Sequence, residues 1–439
     1  MASHIKSTIH SIFKSNFFKD SSWAVFGNGI GYGLMLLSGI IIARMLGKDL
    51  YGEYGFVKTT MFQFAAFATL GLGYSSTKFV AESKEKQKAD IDSIVKASID
   101  ITTVASASIA LLLIVFATPL STFLNAPSLA STFQALGLLI IVRAISTTQY
   151  GILAGFGDFK RIAYSNTLSG VVMIVGCIPL TYYLGITGAL TTLVCSQVIA
   201  AVYNAYCINC HAHYSLFKTR SRHSWTIAKF SLPIALQEFT FALSKWLGIL
   251  IITKYATLGE VGIYTASELW YAVILTVPTF LSNVILSHLS ALGDDYNKHK
   301  KSVNVMIGVN ICCTIVPLIA VYIATPLILN IYGPSFTGME PVLKISVMTT
   351  LFTCCSNVLT SELIALGKTW TLFTIRFIRD LSMVVTGFIV IRGNDGQYAA
   401  RDYATITLTY TAIFFIVIYI ITQYYINKKS KITQSSKNA

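Results

Sequence analysis

The chain has 439 residues and a formal net charge of +14, yet 54% of it is hydrophobic and only 12% is charged. A soluble globular domain carries about twice that charged fraction, so the composition, with a mean hydropathy of +0.64, excludes an ordinary soluble domain and predicts an all-α polytopic membrane protein. The basic residues are spread over many loops and not gathered into one patch, which argues against nucleic acid as a partner.

A helix needs roughly 20 mostly apolar residues to cross the bilayer core. Twelve such runs can be placed, near 22–45, 56–80, 97–119, 131–153, 162–184, 187–208, 227–255, 264–291, 303–328, 341–365, 371–391 and 402–425. The first follows a polar stretch, so no cleavable signal peptide is expected and the first helix stays in place. It contains GNGIGYG (Gly27 to Gly33), which has the glycine density of a dinucleotide-binding loop. Such a loop needs a preceding strand in a βαβ unit, so a closely packed or bendable helix is the better reading. The sixth run ends in CINCHAH (Cys207 to His213), with the C-x-x-C-H spacing of haem attachment and a pattern that could also hold zinc. The topology places it on the cytoplasmic side, which disfavours haem, and neither metal nor other cofactor is expected. Cys312, Cys313, Cys354 and Cys355 read as small packing residues within spans.

Lys and Arg are concentrated in one set of loops, including Lys84, Lys86, Lys88, Lys160, Arg161, Lys218, Arg220, Arg222, Lys300 and Lys428, whereas the opposite set has Arg44, Lys48, Lys254 and Arg392. By the positive-inside rule both termini are cytoplasmic. The halves 1–215 and 216–439 have six runs each. MLGKDLYGEY (Met45 to Tyr54) recurs in outline as TLGEVGIY (Thr257 to Tyr264), AGFGDFKR (Ala154 to Arg161) as IALGKTWT (Ile364 to Thr371), and more weakly GITGA (Gly185 to Ala189) as GNDGQ (Gly393 to Gln397). An even number of spans per half makes this a parallel repeat, and two such halves around a central cleft suit alternating access. The Gly-x-Tyr turns read as interfacial reversals between long helices.

The order of Gly-x-Tyr after the first run, LGLGYSSTKFVAE (Leu70 to Glu82), GDFKRIAYSN (Gly157 to Asn166), FSLPIALQ (Phe230 to Gln237) and IYGPSFTGMEPVLKI (Ile331 to Ile345) resembles the bacterial polysaccharide flippases. These are the Wzx-like O-antigen transporters of the multidrug/oligosaccharidyl-lipid/polysaccharide exporter superfamily. The resemblance implies a bacterial inner-membrane protein that moves an undecaprenyl-diphosphate-linked oligosaccharide from the cytoplasmic to the periplasmic leaflet. Its partners would be that lipid, the membrane lipids and other polysaccharide-assembly membrane proteins.

Charges within spans are costly and mark candidate sites. Arg143 lies deep in the fourth run, with Ser146, Thr147 and Tyr150 on the same face, so it either lines a cavity or pairs between helices. Glu238 and Lys245 share a face of the seventh run beside Trp246, either at the cavity or in interhelical salt bridges. Pro233 and Pro278 permit bends there and in the eighth run. In the eleventh run Arg376 and Asp380 are spaced to pair, which leaves Arg379 uncompensated and suited to a diphosphate. Lys58, Lys344 and Glu268 are further candidates, the two lysines alternatively snorkelling to the interface. Glu238 and Asp380 are the carboxylates through which proton or sodium coupling would run. Two other readings share part of this pattern. A cation-coupled multidrug antiporter should have surplus carboxylates in its cavity, and a membrane-embedded glycosyl enzyme should have a long extramembrane loop with catalytic residues; no catalytic constellation of that kind is found.

Overall fold

The computed structural model describes residues 16–85, 91–123, 129–212, 224–291 and 296–438. These residues form thirteen α-helices: α1 (Asn16–Ala68), α2 (Leu72–Glu85), α3 (Ile91–Val115), α4 (Ala117–Phe123), α5 (Leu129–Gly155), α6 (Phe159–Leu184), α7 (Ile186–Asn209), α8 (Ser224–Tyr255), α9 (Leu258–Ala291), α10 (Tyr296–Tyr332), α11 (Met339–Ala365), α12 (Thr369–Gly393) and α13 (Ala399–Asn438). A short 3-10 turn, Pro334–Phe336, joins α10 to α11. No strand occurs among the described residues.

Ten of the twelve expected apolar runs each fall on one helix, because lipid leaves backbone groups no partner but their own helix. Among the described residues nine helical segments are long and apolar enough to cross a membrane. One of them, Gly29–Ala68, contains two legs, since Gly47 at φ 71°, ψ 172° interrupts the helix. The helices α8 and α12, at the seventh and eleventh expected positions, carry the charges Glu238, Lys245, Arg376, Arg379 and Asp380.

Three sequence-based expectations need correction. The run 56–80 is not one helix, because Leu70 (φ 48°) and Gly71 (φ 69°) break it between α1 and α2, and the run 97–119 divides at Phe116 between α3 and α4. Gly52 is not the residue that reverses the chain: it lies within the second leg of α1, and the positive φ falls on Gly47.

The described chain divides by compactness into two units, Met1–Leu46 with Tyr54–Trp246, and Gly47–Glu53 with Leu247–Ala439. The expected boundary near residue 215 lies outside the described residues, as do Lys86, Lys88, Lys218, Arg220 and Arg222.

In the first unit, Leu72, Val80, Ile94, Val95, Ile152, Leu153, Phe156 and Ile208 form a core joining α2, α3, α5 and α7. The helices α2 and α5 approach until a Cβ on Gly151 would come within 2.1 Å of the Gly73 carbonyl oxygen, and Thr77 Oγ1 donates to the Gly151 carbonyl at 2.8 Å. Small residues with a hydroxyl bridge are a common packing mode between membrane helices. GNGIGYG is helical, and Gly31 packs on α6, where its Cβ would lie 2.8 Å from the Asn166 carbonyl.

In the second unit Ile285, Leu289, Val303, Val358, Leu359, Leu363, Leu372 and Phe414 bring α9 to α13 into one core. His299 at the start of α10 meets Glu362 in the last turn of α11, Nδ1 to Oε1 2.8 Å, with both side chains buried.

The second sequence echo is a structural one. After α5, the Gly157 amide donates to the Ala154 carbonyl at 2.9 Å and the Asp158 amide to Leu153 at 3.0 Å; after α11, Gly367 donates to Ile364 at 3.0 Å and Lys368 to Leu363 at 2.8 Å. Gly157 and Gly367 both have positive φ, 74° and 71°, as the Schellman motif that these paired bonds define requires. Gly52 and Gly262 stand at the same spacing as Gly157 and Gly367, so one register relates the first and second echoes.

Candidate functional site

The first unit gathers its buried charge on three helices. In α1, Tyr54, Lys58 and Phe62 recur every four residues and share a face. The guanidinium of Arg143, midway along α5, lies over the Phe62 ring at 4.5 Å from its centroid. Its Nη1 donates to Oε1 of Gln197 on α7 at 2.9 Å. Lys58 is within electrostatic reach of Arg143, and its Nζ lies 5.8 Å from the Tyr54 ring centroid. No carboxylate is within ion-pair distance of Arg143 or Lys58 among the described residues.

The polar stripe that follows Arg143 is buried at Ser146 and half-buried at Thr147 and Tyr150. Thr147 Oγ1 donates back to the Arg143 carbonyl at 2.9 Å, and Tyr150 Oη and Ser165 Oγ of α6 are 3.2 Å apart. Trp246 belongs to the same unit, where its Nε1 donates to Thr60 Oγ1 at 3.3 Å and its ring meets Phe64 edge-on at 5.2 Å. Glu238 and Lys245 are half-buried on α8 and each is engaged with neighbouring groups. The side chain of Pro233 lies outside the described set.

The second unit corrects the charge assignment of the eleventh run. Arg379 is not left uncompensated: its Nη2 and Nε meet Asp380 Oδ1 at 2.6 and 2.8 Å, and the guanidinium lies over Phe414 at 4.6 Å. Adjacent residues on a helix rarely face each other, but an arginine stem is long enough to fold back and bring two guanidinium nitrogens onto the one oxygen Oδ1, where charge assistance strengthens both contacts. Arg376 donates through Nη2 to Thr360 Oγ1 at 3.1 Å and has further interactions. Glu268 is half-buried and also engaged; the aromatics after it are tied inside the unit, Trp270 to Tyr332 at 3.3 Å and Tyr271 to Thr353 at 3.1 Å. Lys344 forms a partly exposed pair with Glu340 at 2.7 Å, of a kind worth about 0.3–0.5 kcal/mol.

Sequence reasoning did not single out Gln197 or the His299–Glu362 pair. The signal for Gln197 was an amide inside the apolar run 187–208, and for Glu362 a carboxylate inside 341–365. In CINCHAH, His211 Nε2 is 2.8 Å from Asp158 Oδ2 and 2.9 Å from Arg161 Nη1, and its ring stacks on Phe156. Cys207 is buried and Cys210 exposed, and His213 lies outside the described residues. No group of three or more His, Cys, Asp or Glu able to hold a metal occurs among the described residues.

Known structures share this fold. An inward-facing multidrug resistance MATE family transporter of the MOP superfamily superposes with a TM-score of 0.79 at 15% identity, over 92% of this chain and 96% of the other. A MOP superfamily transporter from Pyrococcus furiosus, described as having a binding pocket of reverse polarity that suggests a different function, gives 0.69 at 17% identity over 95% and 98%. The chain shares the fold of these two transporters and is a multi-pass membrane protein. The family model described as polysaccharide biosynthesis protein matches residues 17–288, and the succinoglycan biosynthesis transport protein ExoT of Rhizobium meliloti is 23% identical over 387 residues, 86% of this chain and 75% of that protein. The chain belongs to the polysaccharide biosynthesis protein family.

Proposed function

We propose that this protein moves an undecaprenyl-diphosphate-linked oligosaccharide from the cytoplasmic to the periplasmic leaflet of a bacterial inner membrane by alternating access, without chemical conversion of the cargo. The observation that carries the reading is the Arg143–Lys58 pair of cations in the first unit, which has no carboxylate in ion-pair reach among the described residues. Charge held at membrane depth costs at least about 2.5 kcal/mol, so two neighbouring like charges call for a ligand of opposite sign. A diphosphate supplies it. Gln197 occupies one donor of the guanidinium and Phe62 one face, which leaves other N–H donors of a preset fork for phosphate oxygens.

A multidrug antiporter that accepts cations would need the opposite charge at this position. The name of the Rhizobium meliloti relative, a transport protein of succinoglycan biosynthesis, supports saccharide cargo. Cytoplasmic termini follow in this reading from the distribution of Lys and Arg.

The test is deletion of the gene in its host, with extraction of undecaprenyl-linked oligosaccharides from spheroplasts. Accumulation of one repeat unit in the inner leaflet, relieved by the wild-type gene, is the expected result. Intact surface polysaccharide with no accumulation would refute the reading.

A further inference from the structure

Within the first unit α5 and α7 run side by side in the same direction. Arg143 reaches across to Gln197 at 2.9 Å, and further along both helices Leu153 and Ile208 lie in one core. Ser146, Gln149 and Leu153 share one face of α5, and Gln197, Asn204 and Ile208 share one face of α7. The common core at Leu153 and Ile208 turns these two faces toward each other. Gln149 and Asn204 therefore stand at about the same level, roughly 9–10 Å beyond the Arg143–Gln197 bond at ~1.5 Å per residue.

This seam is polar and sealed. Ser146, Gln149 and Asn204 are 0%, 3% and 0% exposed, yet Ser146 Oγ, Gln149 Oε1 and both amide atoms of Asn204 have no hydrogen-bond partner among the described residues. Thr147, beside Ser146, donates its hydroxyl to the Arg143 carbonyl one turn back, as helical Ser and Thr commonly do; Ser146 does not. Buried polar atoms in folded proteins are bonded to protein or to ordered water, because leaving such a bond unmade costs the desolvation of the group.

We propose that the seam is an internal hydration site, in which ordered water bridges Ser146, Gln149 and Asn204 inside the first unit. At roughly three hydrogen bonds per buried water, about one or two molecules satisfy the set. The chemistry selects water over an ion. The oxygens of Gln149 and Asn204 accept and Asn204 Nδ2 donates, a mixture that a molecule both donor and acceptor answers. A cation would find no carboxylate among these three residues and would face the charge of Arg143, and an anion would face the amide oxygens.

The site gives Arg143 polar surroundings without a countercharge. A guanidinium at membrane depth is costly, and water held by neutral groups lowers that cost while leaving the charge uncancelled. One turn beyond Asn204 the seam ends at the Cys207 carbonyl, which accepts from Arg161 Nη1 at 3.4 Å; the Arg161 side chain is partly exposed. The inference goes beyond the transport reading and does not depend on the cargo.

Hydroxyl-radical footprinting by pulsed X-rays, on the protein in lipid nanodiscs, tests the site, because radicals formed from bound water oxidise the side chains beside it whatever their exposure. Leu153 lies on the seam. Leu343 in the second unit is equally buried, and no side chain within two turns of it on α11 carries an unpartnered polar atom. Leu153 is expected to be oxidised about fivefold faster than Leu343 or more, and Gln149→Leu with Asn204→Leu to bring the two rates within about twofold. Equal rates in the wild-type protein overturn the proposal. Fast oxidation of Leu153 that persists in a folded double variant overturns it as well, since the water then lies elsewhere. Where the double variant does not fold, the wild-type comparison decides alone.

Discussion

Arg143 and Arg379 look alike in sequence, each an arginine inside an apolar helix, but their partners assign them different work. Arg143 is held by a neutral amide and an aromatic face, so its charge is oriented and not cancelled. Arg143→Gln is therefore expected to lower export of lipid-linked oligosaccharide at least tenfold with little change in melting temperature, and Arg143→Lys to restore only part, since lysine keeps the charge but loses the fork. Export rates measured in matched membranes decide it, and wild-type export by Arg143→Gln would end the headgroup-anchor reading. Arg379 is cancelled by Asp380, with side chains 18% and 7% exposed. Removing one partner of a buried pair costs about 3–5 kcal/mol, whereas removing both is often nearly neutral. Asp380→Asn should thus lower the melting temperature clearly and Arg379→Gln with Asp380→Asn should recover most of it; equal losses in the single and double variants would show that the pair is not a structural unit. The coupling idea is read from the same variants. If Asp380→Asn and Glu238→Gln both export normally under imposed proton and sodium gradients, neither carboxylate carries coupling.

At the level of helices, hydropathy placed ten of the twelve expected runs on single helices, because the bilayer fixes the length of an apolar run. Where a helix breaks or how closely two helices pack is set by φ and by the space at Cα, and hydropathy registers neither. Leu70 takes a positive φ with nothing in its own identity to announce it, and the seven-residue motif GNGIGYG does not reveal which of its glycines is indispensable. The structure separates them. A Cβ on Gly31 would meet the Asn166 carbonyl carbon and oxygen at 2.8 Å, whereas one on Gly33 would meet nothing within 4 Å. Alanine is favoured over glycine in a helix by about 1 kcal/mol, so Gly33→Ala should be neutral or slightly stabilising. Gly31→Ala must push α1 from α6 and should lose several degrees. Thermal melts of the two purified variants check the contrast, and equal behaviour would mean that α1 and α6 are not in the close contact described.

Across the whole molecule the paired glycines Gly157 and Gly367, and Gly52 and Gly262, were legible in the sequence, because a positive φ or a close backbone approach admits few other residues. The pairing of charges was not legible, because Gln197 lies 54 residues from Arg143 and Glu362 lies 63 from His299, separations that no local spacing encodes. With the register set by Gly52 against Gly262 and Gly157 against Gly367, the position matching Arg143 in the second half is Thr353, which shares a hydrogen bond with Tyr271 at 3.1 Å. The two positions do not share a charge, and in the proposed function the headgroup is recognised by the first half alone. Thr353→Val follows as the control for Arg143→Gln. It removes one hydrogen bond, worth about 0.5–1.5 kcal/mol, so it should lower the melting temperature by a few degrees and leave export within about twofold of wild type. Export lost equally in Thr353→Val and Arg143→Gln, with both proteins folded, would show that the two positions act as a symmetric pair through packing, and the cationic anchor would have to be abandoned.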